Sequence, residues 1–298
     1  MRILLTGSSG RVGRALFAAL AARGDDVVGL DRSPFATTRH LVDVGDAVAV
    51  RPLLQGVDAV VHVAGLHAPH VGRVADTAFE AVNVVATRQL ALLAREAGVR
   101  RFVFTSTTAL YGDAVVPGQC RWIDADTPPL PRTIYHRSKL RAEAALEEIA
   151  GAALAVRVLR MSRCFPERAD AMAVHRLHRG IDVRDVADAH VAALHDEGAP
   201  FARYLVSAVP AFAREDVEAL ASDARDCIGR RVPALAAAFV QRDWALPLTL
   251  DRVYDPALAC ARLRWQPRHG FDEVLAQHDR RSLEVLPVAA SVVDTAVE

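Results

Sequence analysis

The chain has 298 residues, 52% of them hydrophobic, which is enough to fill the core of one large domain or of a domain with a smaller lobe. Lysine plus arginine equals aspartate plus glutamate at 36 each, so no global field calls for nucleic acid or an anionic membrane. Cys120, Cys164, Cys227 and Cys260 are scattered with no C-x-x-C pair, which argues against a zinc site or a disulfide framework and leads us to expect no metal and a reduced, cytoplasmic compartment. Met1 runs directly into an apolar segment, so we expect no signal peptide, and no apolar run is long enough to cross a membrane.

The first expected element is the strand Arg2 to Thr6, followed at once by Gly7-Ser8-Ser9-Gly10-Arg11-Val12-Gly13 and an amphipathic helix from Arg14 to Arg23. A strand, a glycine turn and a helix in this order suit a dinucleotide pyrophosphate. Gly7 permits the tight turn, Gly10 lets the backbone approach the phosphates, and Gly13 allows the helix to pack closely on the strand. The free amides at the helix start then face the anion. Asp26 to Leu30 reads as the second strand, with Asp31 at its end, about 20 residues after the glycines as the fingerprint asks. Its carboxylate can bond the ribose hydroxyls and would repel a 2′-phosphate, which favours NAD. Arg32 follows and could attract that phosphate, leaving NADP open; Asp31 could also serve only as a loop carboxylate or helix cap.

A short strand near Leu41-Val42, the strand Ala59 to Val63, a helix from Val82 to Ala97 and the strand Arg101 to Thr105 come next. A helix over Tyr135 to Ile149 and a strand through Leu154 to Leu159 follow. Strands alternating with helices imply right-handed crossovers and a doubly wound, Rossmann-type α/β fold with a parallel sheet. Its ligands sit at the carboxyl ends of the strands. Lys139 stands four residues after Tyr135, on the same helical face. An ammonium group beside a phenol lowers its pKa from about 10 and fits it to move a proton to or from an alcohol oxygen. The same spacing occurs on ordinary helices whose side chains lie in solvent.

These motifs, in this order, resemble those of the extended short-chain dehydrogenases/reductases, the NAD-dependent epimerase/dehydratase type. They are Thr6 to Gly13, Asp43-Val44, His62-Val63-Ala64-Gly65, Val82-Asn83, Phe104 to Gly112 and Tyr135-His136-Arg137-Ser138-Lys139. Asp251 to Pro256 and Leu263 to Pro267 resemble the closing segment of that family. The resemblance implies that Tyr135 is the acid/base and Lys139 its ribose-binding partner. Thr107 falls on the hydroxyl that holds the substrate oxygen, with Ser106 and Thr108 as neighbours able to take its place. It implies Asp43 and Val44 beside the adenine, and Val63, Ala64 and Gly65 along the nicotinamide. Arg11, Val12 and Thr105 complete the cofactor side. Asn83 is expected to be structural, and His62 has no metal-ligand spacing.

The departures bear on the substrate. The strand after the helix leads to Arg163 where nucleotide-sugar members carry Asn, and the insert that grips the nucleotide is nearly absent before Ile181 to Asp188. This junction is more similar to that of uronate dehydrogenases, which act on free sugar acids. His175, Arg176, His178 and Arg179 crowd the remaining loop, either as a solvated basic loop or as a clamp for an anion. Arg252 stands where nucleotide-sugar members often hold a diphosphate. We therefore expect an NAD-binding domain over 1–163, with 181–207 returning to it. A small substrate lobe is expected from 164–180 and 208–283, and a loose tail over 284–298. The expected activity is an NAD-dependent oxidoreductase or epimerase acting on a sugar-like small molecule, with an anion among the candidates, in a homodimer. The alternatives are a nucleotide-sugar epimerase or dehydratase, and a non-catalytic NAD(P)-sensing protein.

Overall fold

Seven strands form one sheet in the order β3-β2-β1-β4-β5-β7-β8 in a computed structural model that describes residues 1–288. They are β1 Arg2–Thr6, β2 Asp26–Asp31, β3 His40–Leu41, β4 Ala59–His62, β5 Arg101–Thr107, β7 Ala155–Met161 and β8 Phe201–Val206, and every pairing is parallel. Side chains of a strand alternate between faces. In β1, Leu4 faces one core with Phe102, Phe104, Val156 and Val158, under the helices Ala86–Glu96 and Ile134–Ile149. Ile3 and Leu5 face the other core with Val61 and Val103, under the helices Arg11–Ala22 and Val183–Leu194. Each such buried side chain contributes roughly 1.5–3 kcal/mol, so the sheet is held from both sides, as a parallel sheet requires.

The chain leaves β1 towards β2 and β3, then crosses back to β4 on the other side of β1. That reversal opens a crevice at the carboxyl ends of β1 and β4. Gly7 closes β1 at φ +72°, and a Cβ there would lie 2.7 Å from the amide nitrogen of Ala64. The turns after β1 and β4 therefore touch across the crevice.

A third cluster gathers Met172, Val174, Leu177, Phe212, Leu220, Ile228, Phe239 and Val274. Cys120 joins it, and β6 Arg121–Ile123 pairs in parallel with β9 Arg252–Tyr254. A segment from within the expected 1–163 unit thus leaves the main sheet to pair with residues near the carboxyl end, a long-range pairing that local patterning does not signal. Helix boundaries also differ. The first helix begins at Arg11, and the helix expected from Val82 starts earlier, as one α-helical turn, Asp76–Phe79, then a π-helical stretch, Glu80–Val85, before the α-helix Ala86–Glu96. Of the expected tail, residues 284–288 pack against the body: Val285 is buried, and Leu286 bridges Arg168. Residues 289–298 lie outside those described. No helix among the described residues is long and apolar enough to cross a membrane.

Candidate active site

The glycine loop leaves a cradle at the start of the helix Arg11–Ala22. Its N-cap, Gly10, offers no side chain to the first-turn amides, so those donors remain free for an anion. A Cβ on Gly13 would sit 2.0 Å from the carbonyl oxygen of Gly7. Gly13 is therefore needed where the helix abuts the loop itself, not the strand. The Arg11 side chain turns away from the loop: its Nε donates to the Cys164 carbonyl at 2.8 Å, and its guanidinium pairs with Glu284. Val12 packs against the second core.

At the end of β2, Asp31 accepts hydrogen bonds from the Ser9 and Ser33 amides, each at 3.0 Å. It thereby ties the glycine loop to β2. Arg32 reaches Asp43 at 3.6 Å, and Asp43 also accepts from the Gly45 amide. Val44 is buried in the first core. After β4, the Ala64 amide donates to the Thr6 hydroxyl, and Val63 packs on the second core. Gly65 runs so close to Lys139 that a Cβ would lie 3.4 Å from its Nζ and 2.9 Å from Asn83 Oδ1. Asn83, in the π-helical stretch, clamps both backbone groups of Leu66 and donates to Ser138 at 2.9 Å. Through these bonds Asn83 holds the loop after β4 against the Tyr135 helix.

Thr133 caps that helix, and Tyr135 and Lys139 are both buried on it. Lys139 donates to the Thr105 carbonyl at 2.9 Å and lies over the Phe104 ring at 4.4 Å. Burial lowers its pKa to about 8, against the charge of Glu143, which raises it. Burial pushes the Tyr135 phenol up to about 12, while the neighbouring Thr107 hydroxyl pulls the other way. This reverses the direction expected from the Tyr/Lys spacing, because desolvation of the phenolate outweighs its favourable neighbours.

Of the three hydroxyls at the end of β5, Ser106 is committed to Glu143 at 2.5 Å and Thr108 is buried. Thr107 is partly open and accepts from the Ala109 amide. The Thr105 hydroxyl bonds His190 at 2.8 Å. Glu143, wholly buried and on the face shared by Tyr135 and Lys139, also receives Arg160, which reaches Tyr111 at 3.0 Å. Sequence reasoning missed Glu143; the interval of four, then four again, along the helix was its signal.

The expected substrate residues divide. Arg163, Arg179 and Arg252 line one cavity of about 470 Å³ together with Arg132, His136, Gln119 and Asp251. His175 faces an adjoining hollow instead, bonded to Glu167 at 3.0 Å and to Arg179. Arg176 belongs to neither cavity. It is buried, pairs with Asp182 at 3.2 Å, and serves the interior of the fold. His175 ends the helix Ala169–His175 and Arg176 caps it, and successive residues on a helix point in different directions. The cavity arginines are themselves tethered: Arg163 to Glu167, Arg252 to Asp251 at 2.6 Å, Arg179 to Asp251 at 3.7 Å and Arg132 to Asp113 at 3.8 Å. Sequence reasoning assigned Arg132 and His136 no role, although His136 stands in the Tyr135 motif and Arg132 three residues before Tyr135. His62 bridges Thr6 at 2.7 Å and Thr87 at 2.9 Å, a fully paired core residue.

A family model described as the NAD dependent epimerase/dehydratase family matches residues 3–181. The chain belongs to that family. It is 31% identical to a uronate dehydrogenase of Pseudomonas putida over 151 residues, which is 48% of this chain and 53% of the relative. It is 32% identical to a UDP-glucose 4-epimerase of Erwinia amylovora over 172 residues, 51% of this chain and 49% of that one. The chain spans about half the length of the curated relatives it matches. A solved short-chain dehydrogenase/reductase superfamily protein from Agrobacterium tumefaciens with bound NAD shares the fold, with a TM-score of 0.68 at 24% identity. That likeness covers 93% of this chain and 95% of that one. In the terms of this epimerase/dehydratase family, the matched region holds the glycine cradle, Asp31, Thr107, Tyr135, Lys139 and Arg163, whereas Arg252 falls outside it.

Proposed function

We propose that this chain is an NAD-dependent oxidoreductase or epimerase that works on a hydroxyl or carbonyl of a sugar-like anion through Thr107, Tyr135 and Lys139. The observation that carries the reading is the basic cavity beside the helix of Tyr135, where Arg132, Arg163, Arg179 and Arg252 stand with one lining carboxylate, Asp251. Arginine is the natural bidentate partner of carboxylate and phosphate. The glycine cradle and Asp31 support NAD as the cofactor, which when bound supplies the hydride acceptor or donor. Thr107 would hold the substrate oxygen, Tyr135 would exchange its proton, and Lys139 would hold a cofactor ribose while anchored to the Thr105 carbonyl. The anion must compete with Glu167 and Asp251 for the arginines, which selects against neutral sugars.

A nucleotide sugar is the second reading, favoured by Arg252 in the same cavity. A screen of free uronic acids, other hydroxy acids and nucleotide sugars for NADH formation, with product analysis for epimers, separates the two. Turnover of a uronic acid that is weakened by Arg163→Ala is the expected result. Efficient conversion of a nucleotide sugar, indifferent to Arg163→Ala, overturns it. Size-exclusion chromatography with light scattering tests the expected homodimer.

A further inference from the structure

His136 follows Tyr135 directly and lines the basic cavity. Its Nδ1 faces two backbone donors: the Thr133 amide at 3.4 Å, which is one half of the capping box at the start of the helix, and the Arg132 amide just before it at 3.2 Å. An imidazole nitrogen that accepts from backbone amides is unprotonated, so the ring's proton is on Nε2. Room for the ring comes from Gly112, where a Cβ would lie 3.0 Å from His136 Cε1 and 3.1 Å from Nδ1. The ring centroid is 5.8 Å from that of Tyr135. Burial and the charge of Arg132 lower the pKa of the imidazole, which keeps it neutral. The arrangement therefore holds one neutral donor, fixed in tautomer and seated in a socket, on the wall shared by the cavity and the Tyr135 helix.

We propose that His136 is a substrate-positioning residue whose Nε2–H donates to an oxygen of the anionic substrate held by the cavity arginines. This rests on the cavity being the substrate site. The arginines offer several charged forks, each already paired with a carboxylate, and together they can hold an anion in several poses. A donor locked by the helix cap selects the pose that brings the reacting carbon to Tyr135. His136 acts through binding and orientation, and the proton exchanged in the reaction stays with Tyr135.

The test uses the full chain with NAD and the substrate found by the screen. His136→Ala is expected to keep NAD affinity and raise KM by roughly ten- to a hundredfold, the effect of losing one hydrogen bond to a charged group. His136→Gln, whose amide nitrogen reaches about as far as Nε2, should recover most of that loss. Gly112→Ala, which displaces the ring, should reproduce it. Nitrogen-15 spectra of the unmutated chain should show Nδ1 unprotonated and Nε2 protonated, and this readout does not depend on turnover. If Arg163→Ala and Arg179→Ala raise KM while every His136 variant stays within about twofold, the positioning role falls and the cavity reading stands. If neither the arginine nor the histidine variants alter KM, the cavity is not the substrate site and both fall. A protonated Nδ1 overturns the proposal on its own.

Discussion

Tyr135 and Lys139 stand one turn apart on the helix Ile134–Ile149, and burial moves both towards their neutral forms, the phenol up to about 12 and the ammonium down to about 8. A phenol with so high a pKa stays protonated at neutral pH, so the donor form is abundant and the base form scarce. Alcohol oxidation should therefore accelerate as pH rises from about 7 to about 10, while carbonyl reduction, which uses the protonated phenol, should show no such rise. Initial rates in both directions check this, and an oxidation rate indifferent to pH removes Tyr135 as the base. Tyr135→Phe should lower turnover at least about a hundredfold and leave NAD binding intact, since only the exchanging hydroxyl is lost. Lys139→Met should weaken both, through the lost anchor on Thr105. Asp31→Ala should narrow the preference for NAD over NADP, measured by calorimetric titration. It should also loosen the glycine loop, because Asp31 holds the Ser9 amide. Equal NAD and NADP affinity in the unmutated chain transfers the adenosine contact to Arg32.

At the scale of elements, strand β7 carries an arginine into the interior. Arg157 is wholly buried and donates to Asp196 Oδ2 at 2.5 Å and to the carbonyls of Asp196 and Val156, while Tyr204 of β8 donates to the same carboxylate at 2.7 Å. This pair ties β7 and β8 to the end of the helix Val183–Leu194 and draws that edge of the sheet together. Removing one partner of a buried pair strands the other charge, so Asp196→Ala should cost about 3–5 kcal/mol in chemical denaturation. Arg157→Met, which leaves the more exposed carboxylate behind, should cost less. Equal losses from the two substitutions count against a buried stranded charge. The helices and strands of this core were readable because apolar residues recur at their characteristic periods. Arg157 was not, because a charged residue inside a strand declares neither its partner nor its burial.

At the scale of the whole molecule, three histidines are locked in neutral form. Burial, with Lys139 nearby, lowers His62 to about 3; burial with Arg179 nearby lowers His178 to about 3; and burial lowers His190 to about 4. They sit on β4, beside β9 and on the helix Val183–Leu194, so their loss reaches the sheet and the smaller cluster together. As pH falls below the unfolded value near 6.5, the unfolded chain binds protons that the folded chain refuses, and stability drops. All three act in the same direction, so stability should fall as pH drops from about 6.5 towards about 4. Glu167 acts later: hydrogen bonds from His175 and Arg163 outweigh its burial and hold it at about 2, so its contribution is lost only below the ordinary carboxylate range. Urea midpoints at several pH values test this order, and a flat profile from pH 7 to about 5 contradicts it.

The sequence by itself determined the doubly wound sheet, the glycine cradle, Asp31 at the end of β2 and the shared helical face of Tyr135 and Lys139. Each is local: a period of two or 3.6, a turn that requires glycine, or a spacing of one helical turn. Tertiary structure alone decided which residues meet across the chain. It paired β6 with β9, set Arg163, Arg179 and Arg252 around one cavity with His136, sent Arg176 inward to Asp182, and gave Glu143 to Arg160 and Ser106. It also reversed the sign at Tyr135. The spacing announces the lysine, but the cost of removing a phenolate from water depends on everything packed around it, and that is a property of the folded interior.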